Sequence, residues 1–166
     1  MNKINACAAV CLGLMLIAPR LGAQSQTKGQ HCPMDAAGRA DKGMGFSQEK
    51  TTHHFTLTER GGEISVTAKD PADSDSREQI RMHLSHIAHA FAAGDFDIPM
   101  FVHDQTPPGV PVMKEKKDKI QYRYEEAENG GKVVMTTEDG EGLAAIHEFL
   151  AFQIREHKTG DSVTVK

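Results

Sequence analysis

Hydrophobic residues follow two rhythms along this chain, and the change from one to the other happens twice. Phe55 and Leu57 sit two apart, as do Ile120, Tyr122 and Tyr124 further on. A period of two is that of a strand with one buried face. Each run meets a glycine-rich turn, Arg60-Gly61-Gly62 or Asn129-Gly130-Gly131, suited to the positive φ of a tight hairpin. The alternation resumes beyond it, with Ile64, Val66 and Ala68 in the first return strand and Val133 and Met135 in the second. Each return strand ends at an Asp able to cap a helix: Asp70 stands before Pro71, and Asp139 before Gly140-Glu141. There the period lengthens. Ile80, Leu84, Ile87 and Phe91 share one face of a helix predicted over residues 71 to 93. Leu143, Ile146, Leu150 and Ile154 do the same in a second, and Gly94 and Gly160 are natural left-handed stops.

The two stretches also match residue by residue. Gly61-Gly62-Glu63-Ile64-Ser65-Val66-Thr67-Ala68-Lys69-Asp70 lies on Gly130-Gly131-Lys132-Val133-Val134-Met135-Thr136-Thr137-Glu138-Asp139 with both glycines, the threonine and the aspartate in common. Ile80, Leu84 and Gly94-Asp95 then fall on Ile146, Leu150 and Gly160-Asp161. Self-similarity of this kind predicts a duplicated unit. The expected fold is α+β: a two-layer sandwich from a duplicated ββα unit, with a four-stranded antiparallel sheet and two helices on one face. The copies are placed at about residues 51–95 and 118–161. A crossover over residues 96–117, containing Pro99, Pro107, Pro108 and Pro111, is expected to be stiff and irregular.

Ahead of this domain (residues 51–166) lie two segments of other character. Lys3 precedes an uncharged apolar run from Ala6 to Ala18, and Leu21-Gly22-Ala23 ends in a small residue. A run this short falls below the ~20 residues that span a bilayer and suits a signal peptide over residues 1–23. The chain is therefore expected to be exported, to the periplasm or the medium, with no membrane attachment after cleavage. Residues 24–50, rich in Gln, Gly, Ala, Ser, Lys and Asp, show neither period and read as a flexible tail.

Export changes the charge balance, because Lys3 and Arg20 leave with the leader. Of 19 basic residues 17 remain, against 23 acidic ones. An acidic chain with scattered Lys and Arg carries no footprint for nucleic acid. Cys7 and Cys11 leave as well, so Cys32 has no internal partner. Phosphate loops, dinucleotide fingerprints, nucleophile elbows, His-Glu-x-x-His and Cys-x-x-Cys-His are all missing.

What stands out is the load of nine His and eight Met. Imidazole and thioether together suit copper or zinc. His83, His86 and His89 recur at intervals of three, but each step turns about 60° around a helix, so at most neighbours share one ion. The polar alternative is a solvated face. His53 and His54 fall on opposite sides of the first strand, His53 with Phe55 and Leu57. His103-Asp104 has the form of a carboxylate-supported imidazole. A pair at His53 and His54 and a pair at His83 and His86 are expected to be separate alternatives, some 15 Å apart by helical rise, unless the crossover carries His103 to one of them. In the repeat, His83 and His86 fall on Phe149 and Phe152, which predicts a mixed seam or a homodimer surface through those two Phe. The tail adds His31-Cys32-Pro33-Met34, faintly similar to the Cys-Pro-Met core of heavy-metal modules of efflux systems, with Asp35 where their His stands.

Met44-Gly45-Phe46-Ser47-Gln48-Glu49-Lys50-Thr51-Thr52-His53-His54-Phe55, Ile80-Arg81-Met82-His83-Leu84, Pro107-Pro108-Gly109-Val110 and the ending from Phe152 to Asp161 resemble a group of small exported bacterial proteins of unassigned function. Some of those carry the label aspartate carbamoyltransferase. The resemblance spans most of the mature chain and implies export without implying a mechanism. The Ser-Thr-Arg-Thr-Arg carbamoyl-phosphate motif is absent, and that enzyme's catalytic chain is larger, so carbamoyl transfer is not expected. The residues favour an exported, non-catalytic binding protein for a transition metal such as copper, with His83, His86, His53, His54 and His103 as candidate ligands. The alternatives are a small-molecule-binding protein or enzyme using His83, His86 and His103, and a protein-interaction module.

Overall fold

The computed structural model describes residues 36 to 166. The predicted leader, Cys32 and the His31-to-Met34 string lie outside the described residues. Within them the elements run α1 (Ala36–Met44), β1 (Thr51–Thr58), β2 (Gly61–Ala68), α2 (Ser74–Ala92), α3 (Asp97–His103), α4 (Val110–Glu115), β3 (Ile120–Ala127), β4 (Gly130–Thr137) and α5 (Gly140–His157).

Both predicted hairpins form, and their return strands pair with each other, giving a four-stranded antiparallel sheet in the order β1-β2-β4-β3. The order is symmetric about the β2–β4 pair, where Ile64 stands opposite Val133. Phe55, Leu57, Ile64, Val66, Ile120, Val133 and Met135 are buried on one face, and that face carries both long helices. The α+β two-layer arrangement follows directly from the alternation. The layers are crossed: α2 lies over β3 and β4, whereas α5 lies over β1 and β2. Each hairpin is therefore roofed by the other copy's helix. Gly61, at φ 149°, makes the close approach this sheet needs, since a Cβ there would stand 2.0 Å from the Met135 carbonyl oxygen. Gly109, at φ 80°, lets the crossover touch α5, where a Cβ would come within 2.1 Å of the Ala145 carbonyl.

Four expectations need correction. The cap of α2 is Asp73, whose Oδ1 accepts from the Ser76 amide, while Asp70 turns the chain by accepting from the Ala72 amide. Pro71 favours a helix start but is followed by a further turn, so the helix begins three residues later than its position suggested. The crossover is not irregular: it holds α3 and α4, with Pro99 and Pro111 in their first turns, where a missing amide costs little. Residues 36 to 50 are not a loose tail, because α1 packs on α3 and buries Ala40, Met44 and, just beyond it, Phe46. Finally, α5 buries a wider face than its four-residue stripe. Phe149 and Phe152 are 1% and 7% exposed and lie inside the fold, Phe149 against Phe91 and Phe96, so neither ring is offered to a second copy. Among the described residues no helix is long and apolar enough to cross a membrane.

Candidate functional site

Four imidazoles meet beneath α1 at the β1 side of the core, each delivered by a different element. His53 shares the inner side of β1 with Phe55 and Leu57, whereas His54 is exposed on the other. The buried face of α5 runs through Ile146, Leu150 and Ile154, and three residues on it presents His157 from the last helical turn. Because α5 roofs the first hairpin, that turn lies above β1. The His157 and His53 rings stand 5.6 Å apart at 14°, and His157 is also 5.6 Å from Phe55. The end of α3 contributes His103, whose ring is 5.2 Å from His157 and nearly perpendicular to it.

His103 is oriented by a neutral group. Its Nε2 lies 2.8 Å from Oε1 of the buried Gln153, and Phe152 meets the ring edge-on at 4.9 Å. Asp104, the neighbour expected to support it, instead takes a left-handed conformation to end α3. On the other side of His53, Phe46 stacks at 5.8 Å and turns its edge to His83 of α2 at 5.4 Å. The result is a continuous run of rings: His83, Phe46, His53, His157, His103, Phe152.

The run borders a cavity of about 70 Å³ whose lining includes Met44, His53, His83, Gln153 and His157. Two surface pockets adjoin it. One, of about 210 Å³, is lined by Thr51, His53, Lys69 and His157; the other, of about 250 Å³, by Arg39, His103, Glu156 and His157. His157 borders all three spaces.

Burial dictates the protonation of these groups. It lowers His53 to about 3, with His157, His83 and His54 adding like-charge opposition. It lowers His83 to about 4, reinforced by His86, and His157 to about 4, reinforced by His103. His103 is also lowered by burial, against the opposing pull of Gln153 and Glu156. All four are neutral imidazoles at neutral pH, each with a free lone pair. His53, His83 and His157 make no hydrogen bond to any group among the described residues.

Of the five candidate ligands, His53, His83 and His103 thus come to one region and His54 and His86 do not. His54 lies 3.0 Å from Asp161, whose other oxygen accepts from the Phe55 amide. Burial tends to raise that carboxyl, and the bonds from Phe55, Thr159 and His54 outweigh it and hold the group below its ordinary range. His86 is exposed. The His53 and His83 sites are not separate, because Phe46 bridges them and the crossover brings His103 to His157. The residue that sequence reasoning missed is His157, and the signal for it was present: it extends the spacing of Ile146, Leu150 and Ile154 by one further helical step. Among the described residues no three His, Cys, Asp or Glu side chains are placed to hold a metal ion together.

Searches of protein-family models, of curated proteins and of solved structures find no match to this chain.

Proposed function

We propose that this chain is an exported, non-catalytic binding protein that takes a late first-row transition metal, copper foremost, on paired imidazoles of the half-buried cluster. His53 and His157 form the central pair, and His103, His83 and the Met44 thioether flank it. The observation that carries this reading is the set of three neutral imidazoles without hydrogen-bond partners around one small cavity. The three rings are partly exposed, so their unpaired nitrogens can be reached from solvent, as an entering ion requires.

Size selects the class of occupant. A small-molecule pocket measures about 300 to 1,000 Å³. At about 70 Å³ this cavity is the wrong scale for an organic ligand and the right one for an ion. Imidazole and thioether donors favour copper over hard cations, and cuprous copper needs fewer ligands than the tetrahedral structural zinc sites. Orientation of His103 by an amide, with no carboxylate relay, argues for holding a ligand rather than for general-base chemistry. The apolar leader over residues 1–23 supports export.

The test is a titration of the chain, carrying Cys32→Ser to silence the tail thiol, with cuprous ion against a competing chelator, and with zinc and nickel in parallel. Saturable copper binding is expected, weakened at least tenfold by His53→Ala with His157→Ala and within about twofold of the parent for His54→Ala with His86→Ala. Because burial holds the cluster neutral, affinity should change little between about pH 7.5 and pH 6, whereas exposed imidazoles would be losing metal to protons there. Uptake that never saturates, or a His53/His157 double variant that binds as tightly as the parent, overturns the proposal.

A further inference from the structure

The two edges of the sheet are finished differently. In β1 the outward backbone groups belong to the odd-numbered residues: Phe55 donates its amide to Asp161, and the Leu57 carbonyl accepts from the Lys166 amide. The chain's own C-terminal segment therefore occupies that edge. In β3 the outward groups belong to the even-numbered residues. Thr137 donates to Arg60 on the β2 side, which fixes Gln121, Arg123, Glu125 and Ala127 as the β3 residues bonded to β4. The amides and carbonyls of Tyr122 and Tyr124 point away from the sheet and meet no partner among the described residues. No proline interrupts β3. A bare edge of this length is a template for another strand.

The charges on β3 specify which strand. We infer that β3 pairs antiparallel with the β3 of a second copy, across a twofold axis at Tyr124, to make one continuous eight-stranded sheet. Only registers that oppose even residues to even ones align the free amides with free carbonyls. An axis at Arg123 sets Arg123 against its own symmetry mate, and an axis at Glu125 sets two Glu125 carboxylates together; directly opposed like charges are destabilising. An axis at Tyr122 opposes Arg123 to Gln121 and leaves Glu125 and Glu126 without cross-strand partners. An axis at Tyr124 exchanges amide and carbonyl between the two Tyr124 residues and opposes Tyr122 to Glu126. It also places Arg123 opposite Glu125 twice, at the closely spaced non-bonded positions of the ladder.

Those two side chains already belong to a line of charge on the sheet's outer face. Lys132 stands 3.2 Å from both Glu63 and Glu125, and Glu125 touches Arg123. The proposed register continues that line into the partner without placing like charges together. Charges of a single sign would protect an edge from pairing; these are self-complementary in one register, and a self-complementary patch is what an isologous dimer requires.

Sedimentation of the full chain over a range of concentrations tests this, with Arg123→Glu and Glu125→Arg as separate variants checked for native circular dichroism. The parent should dimerise, and each variant alone should dissociate at least ten times more readily, since each faces like charge across the axis. An equimolar mixture of the two variants should restore the dimer, because acid then meets base at both positions. Backbone amide exchange at Tyr122 and Tyr124 should slow as the parent dimerises. A parent that stays monomeric at high concentration overturns the inference. So does a dimer untouched by either charge reversal, one that the mixture fails to restore, or one in which the two tyrosine amides exchange as fast as in the monomer.

Discussion

Toward β3 and toward β1 the interior of this fold is packed with rings, but the rings differ. On the β3 side Phe91 and Phe96 stack at 4.3 Å, with Phe149 and Tyr122 meeting them edge-on. On the β1 side the corresponding layer is His53, His157 and His103, with Phe46 and Phe152 at its ends. Ring-on-ring geometry is similar in both, so contact alone does not distinguish them. What differs is the cost of water exclusion. A buried phenyl gains from leaving water at any pH, while a buried imidazole gives up its hydration and its capacity to take a proton. The phenyl layer is an unconditional contribution to stability, and the imidazole layer is conditional on pH and, on the function proposed here, on metal.

Acid should therefore break the molecule from the β1 side first. The folded pKa values of about 3 for His53 and about 4 for His83 and His157 lie below the ordinary value of 6.5 in the unfolded chain. Between these limits the unfolded state binds more protons, so stability is complete above about pH 7 and is lost as pH falls through that window. Each imidazole withdraws up to about 1.4 kcal/mol per pH unit. Over the roughly two pH units above the carboxylate range the three together withdraw at most about 8 kcal/mol, enough to consume the lower part of the usual ~5 to 15 kcal/mol of stability. Asp73 and Asp139 do not share this window, since their lowered pKa values withdraw stability only from the ordinary carboxylate range downward. Circular dichroism against pH should show unfolding well above pH 4. A fold intact to that point would mean the imidazoles are hydrated.

The next largest effect belongs to the other flank. Phe149→Ala should cost about 3 to 5 kcal/mol in urea denaturation at neutral pH, as deletion of a buried aromatic ring does, and with no dependence on pH. His157→Ala should cost about 1 kcal/mol under the same conditions. Equal losses at the two positions would erase the distinction between the flanks.

Most of the frame was legible in the sequence because strand alternation and helical stripes are local signals with fixed periods; the Gly-Gly pairs marked where the hairpins lie, but they open β2 and β4, and the turns themselves are Glu59-Arg60 and Glu128-Asn129. The phenyl flank was half legible: Phe91 lay on its stripe, whereas Phe96 sits in the crossover and Phe149 fell outside too narrow a stripe on α5. The imidazole flank was least legible, since its members lie on four elements joined only by tertiary packing. His53 could be assigned to the inner side of β1 from alternation. Its partner could not, because nothing local says that α5 roofs β1 and not the adjacent β3. Helix α1 was invisible for a related reason: Ala36 to Met44 includes two glycines and few apolar residues, and its place depends on fitting against α3, where a Cβ on Gly43 would come within 2.9 Å of Val102.

The smallest effect is the most discriminating, because it converts one flank toward the other at a single ring. His53→Phe keeps a flat aromatic side chain between Phe46 and His157, and the adjoining cavity of about 70 Å³ can take the extra atom of a phenyl without forcing its neighbours off their rotamers. The substitution replaces a half-buried imidazole that makes no hydrogen bond to the described residues with an apolar ring, so stability at neutral pH should hold or rise, by about 1 kcal/mol at most. It also removes one of the protons that separates folded from unfolded chain in acid. The dependence of stability on pH should become shallower by up to about 1.4 kcal/mol per pH unit, and the acid midpoint should move down. Copper affinity, which on the proposed function needs the His53 lone pair, should fall with it. Urea denaturation at three pH values, with a copper titration beside it, measures all three changes on one variant. If stability rises and the acid midpoint moves while copper binding is unchanged, the flank is conditional on pH alone and the metal belongs elsewhere. If the midpoint does not move, the burial of His53 does not set the acid limit, and the contrast between the two flanks reduces to ring size.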